Sequence, residues 1–524
     1  MKTKIENIVF IIAITFFMIS CLDDLNLSPI DPDSFTQEDV FANANVAKGA
    51  LVKLYTSLST TGQDGPTGNP DISDIDEGFS QFSRLMFNLN EVTTDHAVIA
   101  WGSVGLPDIH NQSWGAGNVY TGAMYTRLAQ VVSFANSFIS NATALEDPEV
   151  VAFIGEARFL RAYAYYNLMD WYANVPLTTE ISLELPLQSN RAEIFAFVEA
   201  ELLEIQDQLK ADGSNEFGRV DQVAAWALLS RLYLNAEVWT GTARYSDCIT
   251  FSNKVINSSY IINMSDGNGN GTAYDELFLA DNGSNGAQNE FIFALNFDGL
   301  QTRTWGGTTY LVHAAIGGSM NPADYGVNGG WFGLRTTKNL VDKFNVNDKR
   351  GNFHTDGQNL EIESIAQFGD GYAVNKFKNV DSNGNPGKDD TGDFPDTDLP
   401  IIRLAEIYLN YAEANLRGGG GDLGLAANKI NELRQRAYGN TSGNITTGDL
   451  TLEFVLDERS RELYWECLRR TDLIRYNYFT TESYLWPFKG GQPSGTSVSD
   501  FRNIFPIPTS VLITNPNLNQ NPGY

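Results

Sequence analysis

Apolar residues recur every three to four positions over most of the chain, and this spacing predicts a mostly α-helical protein. The pattern first appears over residues 40–55. One helix start is well marked, because Asp147 is a good N-cap and Pro148 suits a first turn. The strongest predicted helices span residues 125–139, 147–174, 193–209, 222–235, 245–257, 399–416, 424–436 and 452–476.

Small and large side chains alternate on successive predicted helices. Ala224 and Leu228, for example, precede Tyr245 and Phe251 on the next helix. Such alternation lets antiparallel helices approach closely, as in tetratricopeptide-like pairs. The period is irregular, so we predict a tetratricopeptide-like helical-repeat scaffold with insertions rather than a regular solenoid.

The composition changes between about residues 267 and 395, where Gly, Asn, Asp and Ser dominate. Short strand-like pieces occur within this region at residues 291–297 and 310–315. A compact protein seldom keeps so long an irregular stretch unless it serves function. We therefore expect this insertion of loops and short strands to carry the ligand site.

The first twenty residues have the features of a secretory signal. Lys2 and Lys4 precede an apolar run over residues 8–19, which is short of the ~20 residues that a membrane helix needs. Cys21 at the cleavage point is typical of a bacterial lipoprotein, in which the thiol is acylated. We predict a signal peptide over residues 1–20, a lipidated tether over 21–34 and a single body over 35–524. An ordinary signal peptide with an incidental Cys is the alternative.

Charge and residue counts exclude several function classes. The formal net charge of −29 argues against nucleic acid, whose phosphates require Lys and Arg, and against sulfated polymers, but it permits a neutral ligand. Cys248 and Cys467 lie in helical patterns and are expected to be buried free thiols. None of the four His residues is spaced as a metal-ligand pair, so we expect no cofactor and disfavour a His-based metalloenzyme.

Three of the nine Trp residues, Trp101, Trp305 and Trp331, lie beside Gly in turn-rich segments. Flanking Gly lets backbone approach closely and leaves an indole open. A flat indole suits the apolar C–H face of a pyranose ring, while polar side chains bond the hydroxyls at its edge. Trp is highly buried on average, so packing into the core is an equal alternative.

Several segments together resemble the SusD/RagB family of outer-membrane glycan-binding lipoproteins of Bacteroidetes-type bacteria. The resemblance covers essentially the whole chain and is carried by residues 21–25, 157–166, 231–236, 400–409, 458–466, 505–508 and 519–524. It implies a single SusD-like domain on a lipid anchor at the cell surface, in the outer membrane. It also implies no catalysis.

Within that family the chain is most similar to the starch-binding founder. By that resemblance Trp101, Trp305 and Trp331 are the aromatic arc that stacks on glucose, and Asp76 and Arg84 bond its hydroxyls. Two positions depart from the founder's pattern. Ile99 replaces a further Trp, and Val104 stands where a hydrogen-bonding Asn is expected.

The implied function is non-catalytic binding of starch or malto-oligosaccharide, an α-glucan, and its delivery to a SusC-like TonB-dependent transporter. Two alternatives stay open within this class: a protein-interaction scaffold of the transporter complex, and a binding protein for another neutral glycan. A glycoside hydrolase would need two placed carboxylates. Nothing in the sequence singles out such a pair.

Asp396 and Asp398 form a further candidate site, for a cation, just before the predicted helix at residue 399. The resemblance implies that structural calcium could bind there. The alternative is that the two carboxylates favour a helix N-terminus.

Overall fold

The computed structural model describes residues 36–63, 65–67 and 70–524. The predicted signal peptide, the predicted lipidation site at Cys21 and the tether to residue 34 lie outside the described residues. Within the described part, no helix combines the length and the apolar character needed to cross a membrane.

Helices make up most of the regular structure. In chain order they are α1 (Gln37–Val40), α2 (Ala44–Ser59), α3 (Glu77–Ser80), α4 (Phe82–Asn90), α5 (Leu106–His110), α6 (Val119–Ala142), α7 (Pro148–Tyr172), α8 (Arg191–Ile205), α9 (Gln222–Leu234), α10 (Ala236–Thr240), α11 (Tyr245–Ile256), α12 (Gly307–Ala314), α13 (Lys338–Val341), α14 (Leu404–Ala414), α15 (Leu423–Tyr438), α16 (Leu452–Leu463), α17 (Arg469–Arg475) and α18 (Thr509–Thr514).

The longer helices pack against one another, some as neighbours in the chain and some from distant segments, and the predicted helical class is confirmed. α6 packs on α7, α7 on α8, α9 on α11, and α11 on α14. Ala224 and Ala227 of α9 are fully buried, as expected where helices approach closely. The side chain of Asp147 accepts a hydrogen bond from the N–H of Glu149 and caps α7 at the predicted start. The tetratricopeptide-like character of the pairs stays a prediction.

Short strands lie between the helices and, in the residues described, pair in twos. They are β1 (Val98–Ile99), β2 (Val175–Pro176), β3 (Gln188–Ser189), β4 (Phe291–Leu295), β5 (Leu334–Arg335), β6 (Phe353–His354), β7 (Ala373–Val374) and β8 (Leu399–Arg403). The antiparallel pairs are β1 with β5, β2 with β3, β4 with β8, and β6 with β7. The strand predicted at residue 291 is thereby confirmed as β4.

Three predicted elements are wrong in part. Of residues 310–315, predicted as a strand, residues 310–314 are helical in α12, because an apolar run that is buried on all sides gives no period to separate helix from strand. Residues 399–403 pair with β4, so α14 begins only at Leu404. The helix predicted over 452–476 breaks after Leu463, where Trp465 and Cys467 both adopt a φ of 64°. Trp465 is fully buried in that bend.

A buried network of charged side chains joins the ends of α14, α15 and α16. Glu462 accepts hydrogen bonds from Arg403 (2.6 Å), Arg350 (2.9 Å) and Arg436, and Glu290 bridges Arg403 and Arg436. Burial raises the pKa of Glu462, but the three guanidinium groups outweigh it and leave that pKa at about 2. Such a network is costly to break, because a lost partner leaves a charge uncompensated.

Candidate functional site

The three predicted Trp side chains lie side by side. The centroid of the Trp331 ring is 6.3 Å from that of Trp101 and 6.1 Å from that of Trp305, with interplanar angles of 46° and 51°. Each side chain is half-buried. We call this row, Trp101–Trp331–Trp305, the tryptophan arc. Its ring planes turn from one residue to the next, so the row is not flat.

Trp331 stands at the centre of the arc and is held from behind by α12. Its ring stacks on the imidazole of His313, with centroids 4.9 Å apart. The backbone N–H of Trp331 donates to the His313 carbonyl at 2.8 Å. The two ring nitrogens of His313 contact the carbonyls of Gly329 (2.7 Å) and Asp393 (2.9 Å). Burial lowers the pKa of His313. The imidazole therefore ties the segment that carries Trp331 to the segment around Asp393.

Trp101 follows β1 and packs on the strand partner of β1. The N–H of Ala100 donates to the Gly333 carbonyl at 3.0 Å, and Trp101 Nε1 donates to the Trp331 carbonyl at 3.1 Å. The absence of a side chain at Gly333 is required, because a Cβ there would lie 2.5 Å from Trp101 Cζ2. For Trp101, the Gly that permits close approach is therefore Gly333, which is distant in sequence and does not flank the indole.

Trp305 is fixed by the buried carboxylate of Glu77, which is not among the predicted site residues. Glu77 accepts hydrogen bonds from the Trp305 N–H (2.9 Å) and from the hydroxyls of Thr304 (2.6 Å) and Thr61 (2.5 Å). The Trp305 ring packs against Phe394, with centroids 4.7 Å apart. The only signal for Glu77 in the sequence was its place directly after Asp76.

Asp76 and Arg84, the two predicted sugar ligands, have different surroundings. Asp76 is exposed and caps α3, accepting a hydrogen bond from the Phe79 N–H at 3.4 Å. Arg84 is only 5% exposed and donates to the Trp305 carbonyl at 3.0 Å. Its guanidinium lies 5.6 Å from the Trp101 ring centroid and 4.4 Å from that of Tyr310.

Arg84 therefore joins two members of the arc from beneath. Burial lowers the pKa of Arg84, although nearby acidic and phenolic groups oppose this shift. Its Nε has no hydrogen-bond partner among the described residues. The direct contact of Asp76 and Arg84 with sugar stays a prediction.

The two positions that depart from the founder's pattern differ in exposure. Ile99 is buried in β1, whereas Val104 is 84% exposed in the loop after Trp101. An aliphatic side chain cannot donate a hydrogen bond to a sugar hydroxyl. This edge of the site therefore offers an apolar contact where the resemblance implied a polar one.

Asp396 and Asp398 precede a strand and not a helix, so the alternative explanation by a helix N-terminus is wrong. Their carboxylates accept hydrogen bonds from backbone N–H groups of Phe297 (2.7 Å), Gly299 (2.8 Å) and Lys388 (2.7 Å). Burial is the main cause that raises the pKa of Asp398 to about 7. Among the described residues, no three His, Cys, Asp or Glu side chains come together to hold a metal ion. Cation binding by this pair stays a prediction.

The arrangement offers chemistry suited to a ring with apolar faces and a polar edge. Three indoles supply flat apolar surface, the Arg84 guanidinium supports that surface from beneath, and the exposed Asp76 carboxylate lies near Arg84. Both oxygens of Glu77 are already committed to the turn at Trp305, so this carboxylate serves the structure of the site.

Two family models match the chain. The first, described as the SusD family, matches residues 366–524. The second, described as starch-binding and associating with the outer membrane, matches residues 78–234. The second model covers Arg84 and Trp101, whereas Trp305 and Trp331 lie between the two matched regions.

Several known proteins are similar over most of their length. The starch-binding protein SusD of Bacteroides thetaiotaomicron is 35% identical, with all of both chains covered. The SusD-like protein P2 of Formosa agariphila is 24% identical over 80% of this chain and 83% of its own. A crystal structure of a SusD superfamily protein from Parabacteroides distasonis has a TM-score of 0.71 at 22% identity, covering 94% of this chain and all of its own. Surface glycan-binding protein A from Bacteroides fluxus has a TM-score of 0.69 at 19% identity, covering 92% and 100%.

Proposed function

The chain belongs to the SusD family, and we propose that it is a non-catalytic surface receptor for an α-glucan of the starch and malto-oligosaccharide type. The observation that carries the proposal is the tryptophan arc, in which Trp331 lies 6.1–6.3 Å from both of its neighbours. Chains of α-1,4-linked glucose curve, and a row of indoles whose planes turn can follow such a curve better than a flat one.

The expected affinity is modest. Each aromatic side chain offers about 150–250 Å² of surface, but ordering an oligosaccharide and desolvating its hydroxyls offset most of the gain. We expect a dissociation constant on the order of micromolar to millimolar, or about −8 to −4 kcal/mol. Polyvalent contact along a polymer then strengthens retention at the surface.

Isothermal titration with maltoheptaose tests the proposal. We expect Trp331→Ala to cost about 2 kcal/mol or more, as for a hot-spot aromatic side chain. Trp226→Ala is a matched control, because Trp226 is also half-buried but belongs to α9, where its Nε1 donates to Gln206. An absence of heat with the unmodified protein, or undiminished heat with Trp331→Ala, would contradict the proposal.

The proposed place of action is the outer membrane, through acylated Cys21, with delivery of the bound glucan to a SusC-like TonB-dependent transporter. The sequence at residues 1–21 and the family model associated with the outer membrane support this assignment. Metabolic labelling with a radioactive fatty acid, compared between the full chain and Cys21→Ser, tests the anchor. Equal labelling of both chains would exclude acylation at this residue.

A second candidate is a receptor for another neutral glycan, and the exposed Val104 favours it, because the polar contact expected there is lost. Titration with cello-oligosaccharides beside maltoheptaose separates the two. Tighter binding of the β-linked series would contradict the assignment of an α-glucan as the ligand, but it would still support glycan binding. The same samples, incubated with starch, should release no reducing sugar. Sustained release would favour a hydrolase.

A further inference from the structure

The loop between β2 and β3, residues 177–187, exposes four aliphatic side chains at alternate positions. The exposed fractions are 67% for Ile181, 104% for Leu183, 53% for Leu185 and 74% for Leu187. Single exposed aliphatic residues are ordinary on protein surfaces, but a contiguous row of large ones marks a surface that another molecule covers. We call residues 177–187 the aliphatic loop.

The backbone of the aliphatic loop is held in place. β2 and β3 pair at its base, and Gln188 exchanges two hydrogen bonds of 3.0 Å with the backbone of Asn519. Asn515 donates to the Pro186 carbonyl at 2.9 Å, and Asn517 donates to the Leu185 carbonyl at 3.0 Å. Leu185 and Leu187 are thus presented by a braced part of the loop, so little conformational entropy of that part would be lost on binding.

The exposed row continues into a neighbouring apolar recess. Ile513 on α18 is 77% exposed, and a cavity of about 210 Å³ lies between α6, α7, α18 and the loop. Its lining includes Val132, Leu168, Val511 and Leu518. The combined face therefore offers both protruding and recessed apolar surface.

The charges on this face are acidic. Glu180 and Glu184 are exposed and are the only charged side chains between residues 177 and 190, and residues 505–524 contain none. Such a face complements an apolar groove with a rim of Lys and Arg. The net charge of −29 opposes both an anionic membrane surface and a second copy of this chain.

We propose that the aliphatic loop, together with Ile513, docks on the SusC-like transporter, at an apolar groove with a basic rim. This inference rests on the transporter partnership proposed above. α18 lies between the docking face and a second cavity of about 380 Å³, whose lining includes Ile75, the neighbour of Asp76.

The test uses the full chain, co-expressed with a SusC-like transporter from the source organism and extracted together with it in detergent. Leu183→Ser with Leu187→Ser removes the two most exposed leucines. Val346→Ser is the matched control, because Val346 is 98% exposed and lies in a different loop. We expect the double variant to bind the transporter at least about tenfold more weakly, and the control to match the unmodified chain. Glu184→Lys should also weaken binding and reduce its dependence on salt.

Maltoheptaose titration accompanies each sample, and all variants should keep the glucan affinity of the unmodified chain. If the double variant binds the transporter as well as the unmodified chain does, the docking face is wrong and the transporter partnership stands. If the unmodified chain binds no transporter, the partnership and the docking face both fail, while glucan binding is judged by titration alone. If the double variant loses only self-association, or only binding to anionic lipid vesicles, and still binds the transporter normally, the face serves a second copy of the chain or a membrane surface. Either result would overturn the proposal.

Discussion

The imidazole of His313 lies almost parallel to the indole of Trp331, with ring centroids 4.9 Å apart and planes 16° apart. The stack places a rigid buried group against the central member of the tryptophan arc. It also explains why α12 belongs to the site, although no residue of α12 was predicted to bind sugar. The orientation of Trp331 therefore depends on a residue that need not touch the ligand.

We expect His313→Ala to weaken maltoheptaose binding by about two- to tenfold, because a stacked aromatic pair contributes about 0.5–1.5 kcal/mol. His313→Phe keeps a ring beneath Trp331 but loses the contacts with the Gly329 and Asp393 carbonyls. Titration of both variants should show a smaller loss for Phe than for Ala. Equal affinity of His313→Ala and the unmodified chain would contradict the supporting role.

Some of the site could be predicted from sequence and some could not. Trp101, Trp305 and Trp331 stand out locally, because each indole lies beside Gly in a polar segment. His313 and Gly333 do not, since their contacts with the arc join residues that are distant in the chain or in different elements. The run that contains His313 was predicted as strand-like, because its apolar residues are buried on all sides and carry no helical period.

The same limit explains the errors in the fold. Long helices such as α7 were predicted correctly, because Asp147 and Pro148 mark the start and the apolar residues continue for about seven turns. The strand at Leu399 was missed because its partner β4 lies more than a hundred residues earlier. Strand pairing over such separations leaves no local trace beyond a short apolar run.

Gly333→Ala should weaken glucan binding with little effect on the fold. The new Cβ would lie 2.5 Å from Trp101 Cζ2, so the indole must move to relieve the contact. Gly115→Ala is the control, because no atom lies within 4 Å of the Cβ position there. We expect titration to show at least about a tenfold loss for Gly333→Ala and none for the control. An unchanged affinity for Gly333→Ala would show that the position of Trp101 does not limit binding.

Asp76→Asn and Glu77→Gln should separate a ligand-binding carboxylate from a structural one. Glu77→Gln places an amide N–H₂ against donors that now bond the carboxylate, so we expect a loss of about 1.5–3 kcal/mol in the free energy of unfolding. Asp76 is exposed, and Asp76→Asn should reduce glucan affinity with little change in stability. Urea denaturation and titration of both variants provide the check. A stable Glu77→Gln chain with normal affinity would contradict the assigned role.

Glu462→Gln should be among the most destabilising single substitutions in the chain. Glu462 faces Arg350, Arg403 and Arg436 in the buried network, and removal of its charge leaves buried guanidinium groups undercompensated. We expect a loss of about 3–5 kcal/mol in the free energy of unfolding, measured by urea denaturation at neutral pH. Glu453→Gln on the same helix is the control, since Glu453 is exposed. A loss below that of the control would contradict the importance of the network.

His110 should make the stability of the folded chain depend on pH. The ring is buried beneath β1, where its Nε2 lies 3.2 Å from both the backbone nitrogen and the carbonyl oxygen of Ile99. Burial is the main cause that lowers the pKa of His110 from 6.5 to about 4, and Arg335 adds to the shift. The unfolded chain therefore binds a proton below pH 6.5 that the folded chain does not accept until about pH 4. Stability from this residue is complete above pH 6.5 and is lost as the pH falls towards 4.

The full shift of about 2.5 pKa units corresponds to about 3.5 kcal/mol, since each unit corresponds to about 1.4 kcal/mol, and about 2–3 kcal/mol of it is lost by about pH 4.5. Other groups titrate over the same range, so the informative quantity is a difference between two chains. Between neutral pH and about pH 4.5, the unmodified chain should lose about 2–3 kcal/mol more than His110→Gln, which has no proton to gain. Urea denaturation at both pH values measures this difference. Equal pH dependence of the two chains would mean that His110 accepts its proton without unfolding, and that β1, which leads to Trp101, tolerates a charge beneath it.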